Sequence, residues 1–205
     1  MSAPHSPAPG RQAGEDRRSG RLIVIVGPSG AGKDTLIDHV RALKSQQTDV
    51  DFDVVRRVIT RPVEAGGEAH QAADPLDFRR MKDEGHFCVS WEAHGLAYGI
   101  PVETCAAVAA GGICLVNGSR RALPHFRAVF PQVETVLVTA RPAILAERLA
   151  ARGRETVEDI RARLERRVED RPEDYDLVIA NEGPIEEGAA RLLAFLRQPA
   201  TVVSA

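Results

Sequence analysis

The sequence predicts an α/β fold in three layers, with a five-stranded parallel sheet between helices. Three observations carry that prediction. Short apolar runs rich in β-branched residues alternate with helix-length segments, which is the pattern of βαβ units joined by right-handed crossovers. The first run leads directly into a glycine-rich turn and a helix. The chain has 205 residues, 43% hydrophobic and 27% charged, which is enough for one buried core and too regular a pattern for a disordered chain.

In order, Arg21 to Val26 (RLIVIV) reads as a strand buried on both faces, because an unbroken apolar run of this length suits the interior of a parallel sheet. A helix from about Gly32 to Ser45 follows, with Leu36, Ile37, Val40 and Leu43 on one stripe. A second strand is expected near Val54 to Ile59, a third at Ile113 to Val116 closed by Asn117-Gly118, a fourth at Val133 to Val138 and a fifth at Leu177 to Ala180. Helices are expected at Pro101 to Ala110, where proline takes a first-turn position, and at Pro142 to Ala151, Thr156 to Arg171 and Glu186 to Leu196. The tail 1–20, rich in Pro, Ala, Gly, Ser and Arg, has the composition of a disordered segment and lacks the apolar run of a secretory signal. The folded domain is expected to cover 21–200. Within it, 61–100 departs from the rhythm: it is polar and glycine-rich with a short helix near Leu76 to Lys82, and it holds the only Trp and three of the six His. It is either a substrate-binding insertion or a surface excursion.

Charge and composition exclude several functions. The balance is 27 basic against 29 acidic residues, without the basic excess of a nucleic-acid binder. Aromatic content of 4% gives no stacking platform for single strands. No run approaches the length of a membrane span. Cys88, Cys105 and Cys114 show no C-x-x-C spacing, so neither a disulfide framework nor a zinc site follows, and they read as small core residues in a reducing, cytoplasmic compartment.

The turn after the first strand is Gly27-Pro28-Ser29-Gly30-Ala31-Gly32-Lys33-Asp34, a G-x-x-x-x-G-K loop between strand and helix. Glycines let backbone N–H groups converge on a phosphate, and the helix start adds its positive dipole end. Lys33 supplies charge for the outer phosphates of a nucleotide, which points to a P-loop NTPase; the plainer alternative is a glycine-rich strand-to-helix turn. The residue after this lysine is normally Ser or Thr, whose hydroxyl ligates Mg²⁺; here it is Asp34, followed by Thr35. Asp34 is either a hard oxygen ligand for Mg²⁺ or a stabilising negative charge in the first helical turn.

Between Arg141 and Arg171 lie nine arginines interleaved with acids. Most read as a solvated helix face. Arg148 and Arg152 stand four apart and share a face, Gly153 permits a hinge, and a lid of mobile arginines over 148–167 is the other reading, since developing phosphoryl charge needs counter-charge.

GPSGAGK, Ile59-Thr60-Arg61, Tyr98-Gly99, RLAARGRETVEDIRARL and YDLVIAN, in that order, resemble the guanylate kinase family of P-loop kinases over Leu22 to about Leu196. The resemblance implies a nucleoside monophosphate kinase-like core with a small substrate-binding insertion and a helical lid, and ATP with Mg²⁺ as donor. It implies that Arg152 and Arg163 are lid arginines on the transferring phosphoryl group, that Asn181 lies near the adenine, and that Thr60, Arg61 and Tyr98 hold the acceptor phosphate. Departures are equally informative. The family's T-T-R-x-P-R is ITRPVE here, a phosphate-binding tyrosine is replaced by His70, and the glutamate that reads guanine falls on Val89, which has no polar group to offer a base.

GPSGAGKD, SWEAHGLAYG, LVNGSR and RGRE are similar to one branch of that family, the ribose 1,5-bisphosphate phosphokinases of phosphonate degradation. That resemblance implies a sugar-phosphate acceptor in place of a purine nucleotide. Two phosphates and a set of hydroxyls suit Arg61, His70, Asn117, Ser119 and Arg120. Each has a plainer alternative: His70 as a surface residue, Asn117 as a strand-ending turn, Ser119 as a helix cap. Trp91 is a core or pocket-wall residue before it is a sugar platform, Tyr98 either packs or binds, and Glu92 faces sugar or solvent.

Overall fold

The computed structural model describes residues 20–47, 49–62, 69–151 and 171–199. The expected tail, most of the arginine-rich lid (with Arg152 and Arg163) and the expected helix Thr156 to Arg171 lie outside the described residues, apart from their ends.

A five-stranded, all-parallel sheet organises the domain, in the order β2 (Asp53–Val54), β7 (Ile113–Asn117), β1 (Arg21–Val26), β8 (Val133–Thr139), β9 (Leu177–Ala180). The apolar side chains of β1 are fully buried, as its unbroken hydrophobic run requires, and they alternate between two cores. Ile23 and Ile25 face α1 (Lys33–Gln47) and α6 (Ile185–Arg197), packing with Leu36, Val40, Leu192 and Leu196. Leu22, Val24 and Val26 face the other way, toward Val108 of α3 (Glu103–Ala109) and Phe126 of α4 (Leu123–Val129). Each such fully buried side chain contributes about 1.5–3 kcal/mol. α5 (Pro142–Ala151) closes the loop end of the sheet with Leu145 and Leu149.

The segment 61–100 is more ordered than its composition suggests. Its strands join a second, four-stranded sheet in the order β4 (Gln71–Ala72), β3 (Val58–Ile59), β6 (Leu96–Pro101), β5 (Phe87–Ala93). β5 and β6 form a hairpin whose turn, His94-Gly95, has positive φ at both residues (53° and 73°), the backbone that a two-residue hairpin loop needs. The short helix is α2 (Pro75–Asp83), started by Asp74, whose carboxylate accepts from the N–H groups of Leu76 and Asp77. Phe78 of α2 stacks on Phe87, with ring centroids 4.8 Å apart. Trp91 lies 5.6 Å from Phe126, which joins the second sheet to the main core.

Two expected boundaries change. The single strand near Val54 to Ile59 is two strands in different sheets. Val55 N–H still donates to Leu115 O at 2.8 Å, and Arg57, buried under the guanidinium-binding faces of Tyr98 and Trp91, then turns the chain across to the second sheet. The helix expected from Pro101 begins at Glu103, because Pro101 ends β6 opposite Phe87. Proline is tolerated at a strand end, where a missing N–H costs little.

Candidate functional site

The glycine-rich turn sits at the C-terminal end of β1, with α1 starting at Lys33. Gly27 has φ 147°, and a Cβ there would stand 2.0 Å from Val138 O. Gly32 has φ 85°, and its Cβ would stand 2.3 Å from Asn181 Nδ2. Both positions demand glycine twice over, by dihedral and by space. Lys33 Nζ donates to Gly27 O (2.9 Å) and Pro28 O (3.1 Å), so the ammonium is held over the loop.

Asn181 is buried at the end of β9 and donates to Ala31 O at 2.8 Å. Here it buttresses the loop from below. Arg148, on α5, reaches the same place: its Nη1 is 3.8 Å from the position of a Gly32 Cβ, is itself buried, and has no hydrogen-bond partner among the described residues. A buried guanidinium N–H without an acceptor costs about 1–3 kcal/mol, and an anion's oxygen is a chemically suitable acceptor for it. Ser29 and Thr35 are exposed at the loop and first helical turn.

Asp34 Oδ1 accepts from Asn117 Nδ2 at 2.5 Å, which brings two sequence-predicted residues 83 positions apart into contact. They line a cleft between α1 and the β2–β7 edge, with Asp38, Arg41, Ile37 and Val54. Asp38 went unremarked in the sequence, although it lies four residues after Asp34 on the same helical face. It pairs with Arg41 at 2.7 Å. Among the described residues no cluster of three or more His, Cys, Asp or Glu is arranged to hold a metal ion. Mg²⁺ needs no such cage, since it binds through one or two carboxylates plus substrate phosphates, and Asp34, bonded through one oxygen, suits that arrangement.

On the second sheet, His70 is buried, not a surface residue. Its Nε2 lies 2.9 Å from Arg61 O, and its Nδ1 3.4 Å from Arg61 Nη2. Arg61 Nε is buried and unpaired, the second such nitrogen among the described residues. Thr60 Oγ1 accepts from Ala97 N–H at 2.8 Å and fastens β3 to β6. Trp91 and Tyr98 stack, 5.1 Å apart and 6° from parallel, with Arg57 over both rings. Trp91 is therefore a packed wall residue, with its rings' neighbours already in place. Glu92 faces solvent. Ser119 precedes a 3-10 turn at Arg120–Ala122 and makes no capping bond with its side chain. Val89, where a guanine-reading glutamate was expected to be missing, is buried in the apolar cluster of Trp91 and Ile100.

The strand, phosphate loop and helix, with the paired sheet beside them, define a P-loop nucleotide-binding domain. The AAA domain family matches residues 23–173, and the chain belongs to it. A guanylate kinase from Anaplasma phagocytophilum superposes with a TM-score of 0.66 at 22% identity, over 88% of this chain and 86% of that one, and so shares the fold. Curated relatives narrow the assignment. The ribose 1,5-bisphosphate phosphokinase PhnN of Agrobacterium fabrum is 47% identical over 87% of this chain and 97% of its own length. The proteins of the same name from Rhizobium etli and Pseudomonas fluorescens are 49% and 44% identical, over 94% and 87% of this chain and 95% of each relative. The chain belongs to the ribose 1,5-bisphosphate phosphokinase PhnN family.

Proposed function

We propose that the protein transfers the terminal phosphoryl group of ATP to the 1-phosphate of ribose 1,5-bisphosphate, forming 5-phosphoribosyl 1-diphosphate and ADP in phosphonate catabolism. The observation that carries this choice of acceptor, within a family of kinases, is the burial of Val89 in an apolar cluster beside an intact phosphate loop. A purine edge finds no hydrogen-bonding partner at that position, and a site lacking its polar readers discriminates poorly. A sugar bisphosphate asks for anion and hydroxyl contacts, which Arg61, Arg120, Asn117 and Ser119 offer.

In the reaction, an oxygen of the acceptor phosphate forms a bond to the terminal phosphorus as the bridging bond to ADP breaks. That oxygen is already anionic, so no general base is required, and positioning with charge stabilisation suffices. The loop Gly27–Gly32 cradles the donor phosphates, Lys33 follows the moving charge, and Arg148 supplies its unpaired N–H. Mg²⁺, when bound, neutralises the donor phosphates; Asp34 and Thr35 would hold it. Arg152 and Arg163 complete the counter-charge from the lid 148–167. Asn181 keeps the loop in shape and flanks the adenine side, while Thr60, Arg61, His70 and Tyr98 build the acceptor wall and Trp91 backs it. Glu92, exposed on β5, is open to the sugar's hydroxyls. A small-molecule donor and acceptor, together with cysteines that need no oxidising compartment, fit a cytoplasmic enzyme. Among the described residues no helix is long and apolar enough to cross a membrane.

The test is a coupled assay with ATP, Mg²⁺ and ribose 1,5-bisphosphate, with GMP in parallel. Formation of 5-phosphoribosyl 1-diphosphate is expected, well above any turnover of GMP. Equal or faster phosphorylation of GMP would falsify the assignment.

A further inference from the structure

His70 touches Arg61 at both ends of its ring, and the two contacts fix its chemistry. A carbonyl can only accept, so Nε2, 2.9 Å from Arg61 O, carries the proton. A guanidinium can only donate, so Nδ1, 3.4 Å from Arg61 Nη2, presents its lone pair. One neutral tautomer satisfies both. The backbone at His70 is itself held: its carbonyl accepts from Arg56 Nη2 at 3.0 Å, and the next N–H, of Gln71, donates to Arg57 O at 2.8 Å. The imidazole is thus a rigid bracket, buried to 2% exposure, closed on the main chain and the side chain of one arginine. What the bracket leaves over is Arg61 Nε, buried without a partner among the described residues. An arginine held by one Nη, with its Nε edge unmet, is set to engage a phosphate oxygen.

We infer that His70 is a positioning residue: as the neutral Nε2–H tautomer it aims the Nε edge of Arg61 at a phosphate of the sugar acceptor and does not bind that phosphate itself. This rests on the proposed function. It differs from the expectation that His70 replaces a phosphate-binding tyrosine, because both ring nitrogens are committed to Arg61.

The experiment is steady-state kinetics on the full chain with ribose 1,5-bisphosphate. His70→Phe is expected to raise KM for the sugar about tenfold, the equivalent of one charge-assisted hydrogen bond. KM for ATP should stay unchanged and kcat within about threefold. His70→Gln, whose carboxamide both donates and accepts, should recover most of the loss. In an Arg61→Ala background, His70→Phe should add less than about twofold, because contacting residues that act as a unit are not additive. Full additivity, or an unmoved KM in His70→Phe, overturns the inference while wild-type turnover leaves the functional reading standing. Absence of wild-type turnover of the sugar overturns that reading instead. Should His70→Phe fail to fold, nitrogen NMR of histidine-labelled wild-type protein decides. A bare Nδ1 whose resonance shifts in Arg61→Lys supports the bracket, and an Nδ1–H tautomer overturns it.

Discussion

The two ends of β1 use the same side chain in opposite ways. At its start, Arg21 is 3% exposed and fully engaged: Nη1 meets Glu134 at 2.9 Å, Nη2 donates to the carbonyls of Phe195 and Leu196, and the guanidinium lies 5.8 Å from the Phe195 ring. It staples β1, β8 and the end of α6 together. Beyond the other end, around the phosphate loop and the neighbouring sheet, Arg148 and Arg61 each keep one buried nitrogen without an acceptor among the described residues. A satisfied buried arginine belongs to the structure. An unsatisfied one is a cost to the fold that an anionic oxygen would relieve, and both stand where the proposed function puts phosphates.

The contrast is breakable at several points. The largest effect is expected at the staple. Glu134→Ala leaves a buried cation unpaired and should lower unfolding free energy by about 3–5 kcal/mol in denaturant titrations, with specific activity per folded molecule retained. Next comes Lys33→Ala, which should reduce kcat about 10³-fold with an unchanged denaturation midpoint; a loss of stability instead would place this lysine with Arg21. Arg148→Met separates the two classes most sharply. It should lower kcat about 10²-fold while leaving the melting temperature level or higher, because a costly unpaired donor has been removed. A clear drop in melting temperature would show that Arg148 is a staple after all.

The smallest effect concerns the thiols, which lie apart from the loop. Burial, then the neighbouring Cys105, pushes the Cys88 thiol up to about 12, and burial, then Asp53, pushes Cys114 up to about 11. Both stay protonated in the native state at neutral pH, while the unfolded thiols ionise from about pH 9. Their contribution to stability is thus complete below pH 9 and is lost as pH rises toward 11–12. Thiol reagents at pH 8 should label Cys88 and Cys114 slowly in the native protein and fast in the denatured chain. Fast native labelling at the half-buried Cys88 would contradict its raised thiol.

How much could be read from residues alone follows the range of the signals. The phosphate loop was legible because its parts are contiguous: strand, glycines, lysine and helix occupy Arg21 to Gln47 without a gap. All five core strands were located for the same reason, save that β2 and β3 merged, since a two-residue strand has no periodicity to measure. The hairpin β5–β6 was passed over, although Ala93-His94-Gly95-Leu96 carried a turn signal between Trp91 and Tyr98. Contacts between distant segments had no local trace. Nothing near Asp34 announces Asn117, and nothing near His70 shows that its ring closes on Arg61. The roles that depend on such pairs needed the fold, and α4 emerged only with it.

One bond described above reaches further than its 2.8 Å. Asn181 props Ala31 from 150 residues downstream, so one support of the motif near the start of the chain comes from the residue that follows the last strand of the sheet. During synthesis, the glycines and the lysine emerge well ahead of that support. A chain cut before Asn181 would therefore lose this prop even with every residue of the glycine-rich turn in place.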